Sequence, residues 1–177
     1  MTGVPEASPS YRVGIGFDAH ALVGGVALVL GGVQFPEEPA GLAGHSDGDV
    51  IAHALIDAAL GAAGLGDIGS LFPSGDPRWK GSSSLDLLRI AYDEVKAAGY
   101  ELVNADCVLI GEQPRLAPYR EEMRRRLAAA LGVEPEMIAV RATTTDGLGF
   151  TGRGEGLAAH AVALVRGLSV AESQRRA

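Results

Sequence analysis

The sequence is poor in cysteine, lysine and aromatic residues, and two of these shortages exclude a class of protein. Cys107 is the only cysteine, so a disulfide framework or a thiolate-rich structural zinc site cannot form within one chain. Lysine occurs only at Lys80 and Lys96, and the net charge is −7, which argues against a nucleic-acid surface. Any phosphate group that the protein binds must therefore meet arginine, backbone N–H groups or metal ions.

We expect neither a membrane-spanning nor a targeting segment. Residues 19–36 carry no formal charge, but four glycines interrupt them, which is typical of turns and short strands rather than a membrane span. The first ten residues have neither a basic cluster nor an apolar core, so we expect no signal peptide and a cytoplasmic location. We expect one domain over residues 11–167, with flexible tails at residues 1–10 and 168–177.

Glycine is abundant, with 25 residues, which indicates many tight turns or a backbone that approaches ligands closely. Hydrophobic spacing predicts strands over residues 11–17, 27–30, 33–35, 100–110, 138–144 and 157–165. It predicts helices from Ser46 or Asp47 to about residue 65, from Ser83 or Ser84 to residue 98, and over residues 119–131. This order predicts an α+β fold, a mixed β-sheet with helices packed on one face.

Two short patterns together suggest a metal site. Asp18 and His20 are two residues apart on a predicted strand, so their side chains point to the same side. Asp49, His53 and Asp57 lie four apart along one helical ridge, where either carboxylate can orient the imidazole from the second coordination sphere. A solvated polar stripe explains the helix taken alone. With His53 added, the strand pair makes three N/O ligands, the number typical of a catalytic zinc site with an open fourth position.

Three further segments could bind phosphate or substrate. His45 and Ser46 precede a helix, where an anion is favoured, although simple capping explains them as well. Residues 143–146, Thr-Thr-Thr-Asp, run into a glycine-rich stretch to residue 156, which suggests a phosphate cradle with a Mg²⁺ or Mn²⁺ carboxylate, or else an exposed turn. The loop over residues 67–76 is either a binding loop or an irregular connector.

These segments, in this order and spacing, resemble the 2-C-methyl-D-erythritol 2,4-cyclodiphosphate synthases. The resemblance runs from about Arg12 to Val165 and is strongest over residues 45–49, 67–73 and 142–156. It implies a lyase of the non-mevalonate (MEP) isoprenoid pathway. Such an enzyme converts 4-diphosphocytidyl-2-C-methyl-D-erythritol 2-phosphate into the cyclic diphosphate and releases CMP. It also implies a homotrimer whose active sites lie between neighbouring chains.

The resemblance assigns roles to particular residues. The zinc ligands of the family fall on Asp18, His20 and His53, and its phosphate-stabilising pair falls on His45 and Thr144. Its magnesium or manganese carboxylate falls on Asp146, where glutamate is more usual. The substrate-binding positions that it implies are Ser46, Asp67, Ile68, Gly69, Phe72, Pro73, Asp76, Gly111, Glu112, Gln113, Pro114, Arg115, Leu116, Ala117, Thr143, Thr145, Phe150 and Arg153.

The sequence departs from the family pattern at Ser74, where aspartate is frequent, and at Arg115, where lysine is usual. Phe17, Arg153 and Glu155 match positions near an apolar cavity on the threefold axis, which can hold an isoprenoid diphosphate. Two other functions fit the same residues: a zinc-dependent phosphoesterase of broader specificity, and a non-catalytic trimer that binds isoprenoid diphosphates.

Overall fold

The computed structural model describes residues 10–168. Its strands are β1 (Tyr11–Gly24), β2 (Leu28–Leu30), β3 (Val33–Phe35), β4 (Ala40–Leu42), β5 (Tyr100–Ile110), β6 (Ile138–Thr143) and β7 (Gly156–Gly167). Its helices are α1 (Val50–Ala63), α2 (Ile68–Leu71), α3 (Ser84–Ala97), α4 (Arg120–Leu131) and α5 (Gly149–Gly152), with 3-10 turns at Pro77–Trp79 and Pro135–Met137. The predicted tails lie outside the described residues, apart from residues 10 and 168.

Five strands form one mixed sheet in the order β4-β1-β7-β5-β6. β5 and β6 are parallel and the other pairs are antiparallel. α1 packs on β1, β7 and β5 and also contacts α3, so the core lies between the sheet and the helices. The predicted α+β class, with a mixed sheet and helices on one face, is confirmed. β2 and β3 pair as the predicted hairpin around Gly31 and Gly32.

Several predicted boundaries were wrong. β1 continues to Gly24, seven residues beyond its predicted end, and pairs there with β4, which sequence patterning missed. The predicted connector after α1 contains α2 and a 3-10 turn, and the glycine-rich stretch contains α5. Cys107 is fully buried, and burial raises the pKa of its thiol to about 12, as expected of a structural cysteine. None of the helices within residues 10–168 is both long and apolar enough to cross a bilayer.

The N-terminus of α1 differs from the prediction in a way that matters for the site. The helix begins at Val50 and is capped by Asp49, not by Ser46 or Asp47. The Asp49 carboxylate accepts the backbone N–H groups of Ile51 and Ala52, and also those of Gly31 and Gly32 in the hairpin turn. Burial raises the pKa of Asp49 to about 6, against the opposing effect of these amides. The Asp49 side chain thus links the hairpin turn to the N-terminus of α1.

α1 approaches β1 at backbone distance because β1 has glycine where the two elements cross. A Cβ atom on Gly14 would lie 2.0 Å from the carbonyl oxygen of Ala58, and one on Gly16 would lie 1.9 Å from that of Ala54. No real Cβ occupies such positions, so glycine is required at both. The close packing fixes the distance between α1 and the part of β1 just beyond Gly16.

The sheet face away from the helices carries an exposed apolar row. Tyr11, Val13, Ile15 and Phe17 alternate along β1 and are between 51% and 68% exposed. Val162 of β7 is in register with Ile15 and is exposed as well. Exposed apolar surface of this kind is typical of interaction faces. We refer to these five residues as the outer sheet face.

We predict that Gly16→Ala lowers the free energy of unfolding by about 3 kcal/mol or more, because the added methyl group would overlap backbone atoms of α1 that cannot rotate away. Urea denaturation measures the change. Gly24→Ala on the same strand is the matched control, because a Cβ there meets no atom within 4 Å. Equal stability of the two variants would contradict the proposed packing constraint.

Candidate metal centre and active site

Three potential metal ligands converge between β1 and α1. Oδ2 of Asp18 lies 3.0 Å from Nε2 of His20 and 2.9 Å from Nδ1 of His53. The two ring nitrogens are 3.3 Å apart. Strand alternation directs Asp18 and His20 to one side of β1, and His53 faces them from the first turn of α1. All three ligands predicted from the sequence therefore lie together within a single chain.

The donor set fits a divalent transition metal. Bonds of about 2.0–2.1 Å at tetrahedral angles put neighbouring ligand atoms about 3.3 Å apart, close to the separations found here. One carboxylate and two imidazoles leave a fourth position for water or substrate, as in catalytic rather than structural sites. The geometry thus supports a centre for a divalent metal.

The negative charge of Asp18 suits a bound cation, with which a proton on His20 competes. Burial alone would raise the pKa of the Asp18 carboxyl, but its contacts with the imidazoles of His20 and His53 outweigh burial and hold that pKa well below its usual range. The hydrogen bond to Asp18 raises the pKa of His20, against the opposing effect of partial burial. Asp18 is consequently an anion at neutral pH and balances the positive charge of a bound cation.

The predicted partners of His53 are not those in the structure. Asp49 caps α1 instead, and Oδ1 of Asp57 accepts the N–H of Ile68 at 2.7 Å, which supports α2. Nε2 of His53 instead lies 3.0 Å from Oγ of Ser46 and 2.9 Å from Oγ of Ser84. Sequence reasoning treated Ser84 only as a candidate helix cap, because its contact with His53 spans 31 residues.

A cavity of about 400 Å³ opens beside the three ligands. His45 and Ser46 line it, and so does the predicted binding loop. The loop residues in the lining are Ile68, Gly69, Phe72, Pro73, Ser74 and Gly75. Trp79 and Leu87 also line the cavity, and sequence reasoning missed both; Trp79 packs edge-on against Phe72 at 5.0 Å between ring centroids.

The two acids of this loop hold its turns rather than line the cavity. Asp67 accepts hydrogen bonds from both N and Oγ of Ser70 at 2.7 Å and caps α2. Asp76 caps the following 3-10 turn and pairs with Arg78. Their structural contacts give the loop its shape, so any direct contact of either carboxylate with substrate stays a prediction.

The second set of predicted residues lies where the parallel strands β5 and β6 end. Gly111 donates its N–H to the carbonyl oxygen of Thr143 at 3.0 Å, which joins the two segments. Oγ1 of Thr144 donates to Oδ1 of Asp146 at 3.1 Å, so the proposed phosphate and magnesium residues are neighbours. Asp146 adopts a left-handed backbone conformation with φ of 51°, which is uncommon for a residue other than glycine.

The predicted phosphate cradle is partly filled by the chain itself. Oε1 of Glu112 accepts the N–H groups of Thr145 at 3.2 Å and Gly147 at 3.3 Å. Those amides are therefore not free for a phosphate, and Glu112 supports the turn that carries Asp146.

The structure places the other predicted residues as follows. Leu116 is buried in the core, and its contact with substrate stays a prediction. Phe17 packs against His160 with the two rings tilted by 50°, Arg153 pairs with Glu155, and Phe150 is exposed. Gln113, Pro114, Arg115 and Ala117 lie in the segment that leads from β5 to α4.

Most residues of the two sets lie apart within one chain, although His20 and Phe150 both line a second, smaller cavity. Across the sheet, Asp18 is in register with Ala159, Ala159 with Leu109, and Leu109 with Ala142. Three strand spacings amount to about 14 Å between the metal cluster and the start of the threonine segment. Of the described residues, none from 111–117 or 143–153 lines the cavity beside the cluster. A substrate that contacts both the metal cluster and the threonine segment must either span this distance or bind between two chains.

Comparison with known proteins identifies the family. The model of the YgbB family matches residues 11–166. The chain belongs to the YgbB family. The 2-C-methyl-D-erythritol 2,4-cyclodiphosphate synthase of Moorella thermoacetica is 61% identical over 87% of this chain and 94% of its own length. The counterpart from Symbiobacterium thermophilum is 54% identical over 88% of this chain and 98% of its own.

Solved structures agree with this membership of the YgbB family. A 2-C-methyl-D-erythritol 2,4-cyclodiphosphate synthase in a CDP-bound form has a TM-score of 0.79 and 41% identity, over 87% of this chain and 99% of that one. The bifunctional IspDF of Campylobacter jejuni has a TM-score of 0.87 and 42% identity; the match covers 92% of this chain but 44% of that larger protein.

We predict that His53→Ala abolishes stoichiometric binding of zinc, because two remaining donors cannot hold the ion against water. Metal analysis of zinc-loaded, desalted protein measures the loss. His45→Ala is the matched control: this imidazole lines the same cavity but lies outside the donor cluster, so we expect one zinc ion per chain. Full zinc content in the His53 variant would contradict the assignment.

Proposed function

We propose that this protein is a 2-C-methyl-D-erythritol 2,4-cyclodiphosphate synthase. It would convert 4-diphosphocytidyl-2-C-methyl-D-erythritol 2-phosphate into the cyclic 2,4-diphosphate and CMP, in the cytoplasm. The observation that carries the proposal is the convergence of Asp18, His20 and His53 beside a cavity bordered by His45 and the loop over residues 67–76. Membership of the YgbB family and the CDP-bound relative support a cytidine nucleotide as ligand.

The reaction is an intramolecular phosphoryl transfer. An oxygen of the 2-phosphate attacks the β-phosphorus and forms a new P–O bond. The bond from the β-phosphorus to the oxygen shared with the α-phosphate breaks, and CMP leaves with the electron pair. Since the nucleophile is part of the substrate, no nucleophilic side chain is required. Orientation of the two phosphates can contribute about 7–11 kcal/mol to lowering the barrier.

The two anionic groups repel each other, so the protein must offset their charge. Asp18, His20 and His53 would hold a divalent transition metal, proposed to be zinc, which when bound acts as a Lewis acid on a phosphate oxygen. His45, exposed at the cavity, is placed to donate a hydrogen bond to charge that develops in the transition state. A donor of this kind is worth about 3–4 kcal/mol.

The β5–β6 end would bind the nucleotide side of the substrate. Residues 111–117 and 143–145 present backbone and hydroxyl groups there, and Asp146 provides the carboxylate for Mg²⁺ or Mn²⁺, which commonly share a site with substrate phosphates. Thr144 would turn its hydroxyl from Asp146 to a phosphate oxygen. Glu112 keeps the turn rigid through the amides of Thr145 and Gly147.

A homotrimer reconciles the separation of the two sets of residues. The outer sheet face offers an apolar surface for association, and assembly would bring the metal cluster of one chain to the β5–β6 end of its neighbour. Phe17 belongs to this face, and Arg153 and Glu155 form an ion pair. We propose that these three residues border a central apolar cavity that can accept an isoprenoid diphosphate.

Phosphorus NMR of the reaction with the proposed substrate tests the function. We expect equal amounts of a cyclic diphosphate and CMP, with turnover lost in the His53→Ala variant. Release of inorganic phosphate instead would indicate a phosphoesterase. Unchanged substrate, despite bound metal and bound isoprenoid diphosphate, would indicate a non-catalytic binding protein. Either of these results would reject the proposal.

Co-expression of two inactive variants tests the shared site. His53→Ala damages only the half of a site that carries the metal cluster. Thr144→Ala damages only the half at the β5–β6 end. In randomly mixed trimers about a quarter of the sites combine two intact halves from different chains, so we expect about that fraction of parental turnover. Each variant expressed alone is the control. If both halves came from the same chain, mixing would restore no activity.

A further inference from the structure

Ser84 is a fully buried polar residue that the proposed reaction leaves without a role. It is the first residue of α3, and its hydroxyl oxygen lies 2.9 Å from Nε2 of His53. The same hydroxyl donates a short hydrogen bond to Oδ1 of Asp47. Ser84 therefore connects a carboxylate to the back of a metal ligand, on the side of the His53 ring away from Asp18 and His20.

The directions of these hydrogen bonds follow from the groups around Asp47. Oδ2 of Asp47 accepts the backbone N–H of Ser84 at 3.1 Å, and Oδ1 accepts that of Asp49 at 3.3 Å. Since an amide N–H can only donate, both oxygens of Asp47 are acceptors, and the hydroxyl proton of Ser84 points to this carboxylate. The Ser84 oxygen is then left to accept hydrogen bonds, and it lies 2.9 Å from Nε2 of His53 and 3.2 Å from Oγ of Ser46. A lone pair on Nε2 would face a lone pair of Ser84 at the shorter distance, so the proton of that contact lies on Nε2.

With a cation held between Asp18, His20 and His53, this arrangement selects one tautomer of His53. With the proton on Nε2, the lone pair of the neutral ring is on Nδ1, the nitrogen that lies beside Asp18 and His20. We propose that Ser84 and Asp47 are positioning residues for the metal centre: Asp47 orients the Ser84 hydroxyl, which holds His53 with Nδ1 directed at the shared metal. The inference rests on the metal centre of the proposed function.

Ser46 is a weaker candidate for the same role. Its oxygen lies 3.0 Å from Nε2 of His53, but it also accepts the N–H of Gly48 at 3.2 Å. No carboxylate contacts its hydroxyl among the described residues. Its hydroxyl also lies 3.2 Å from Oγ of Ser84, to which it can donate, so Ser46 has no carboxylate of its own to orient it, whereas the Asp47 carboxylate fixes the orientation of Ser84.

The turn that carries His45 and Asp47 also contacts the segment between the binding loop and α3. The N–H of Gly81 donates to the carbonyl oxygen of His45 at 2.7 Å, and that of Asp47 donates to the carbonyl oxygen of Ser82 at 3.2 Å. The segment that follows the loop and its 3-10 turn, residues 81–82, is therefore hydrogen-bonded to the turn that carries His45 and Asp47. Ser84 contacts both Asp47 of this turn and Nε2 of His53. The turn therefore connects this segment to a metal ligand.

Zinc affinity, measured by chelator competition on metal-free protein, tests the inference. Loss of a hydrogen-bonding partner behind a metal-bound histidine weakens affinity by about 10- to 100-fold, and we expect this for Ser84→Ala. Asp47→Asn should cause a smaller loss, because one of its two acceptor oxygens is replaced by an amide donor. Ser83→Ala is the matched control: Ser83 is exposed and makes no side-chain capping bond, so its affinity should equal that of the parent.

Two further readouts separate positioning from general stability. The visible absorption of the cobalt-substituted protein should change in Ser84→Ala, while the thermal midpoint of the metal-free variant stays near that of the parent. Parental zinc affinity and parental cobalt spectra in both Ser84→Ala and Asp47→Asn would overturn the inference, and Asp47→Asn alone decides if Ser84→Ala does not fold. A parent protein that binds no zinc would instead overturn the metal centre and the proposed function with it.

Discussion

The backbone contact between α1 and β1 is the constraint on which the metal cluster depends. Asp18 and His20 follow directly after Gly14 and Gly16, whose missing side chains let the helix lie against the strand. His53 lies in the first turn of that helix. A small increase in the distance between α1 and β1 would separate its ring from Asp18, since their contact is 2.9 Å. The separation of the metal ligands thus depends on two glycines that bind no metal.

Much of this fold and of its metal cluster follows from local sequence patterns. The two-residue repeat of β1 predicts that Asp18 and His20 share a side, and helical spacing places His53 on a buried helix. The predicted start of α1 was wrong because the Asp49 carboxylate is held by the N–H groups of Gly31 and Gly32, which belong to a hairpin distant in sequence. Capping rules consider only neighbours along the chain, and Ser46 and Asp47 satisfy them equally well.

The partners behind the ligands could not be predicted from spacing, since they depend on tertiary packing. Helical periodicity made Asp49 and Asp57 attractive partners for His53, yet Ser84 reaches the ring from another helix. Likewise, the glycine-rich segment after β6 looked like an open cradle for phosphate. Parallel pairing with β5 brings Glu112 to those amides instead. Sequence identifies chemically capable residues, and packing determines which of them remain available.

Trp79 is the only tryptophan of the chain, and it lies in the wall of the cavity beside the metal cluster. Its ring contacts Phe72 on one side of the loop, and the guanidinium of Arg78 lies 5.3 Å from its centre. Indole fluorescence depends on polarity and on nearby charge. The protein therefore contains a native optical reporter at its cavity, and the rate at which a ligand arrives there is measurable without an added label.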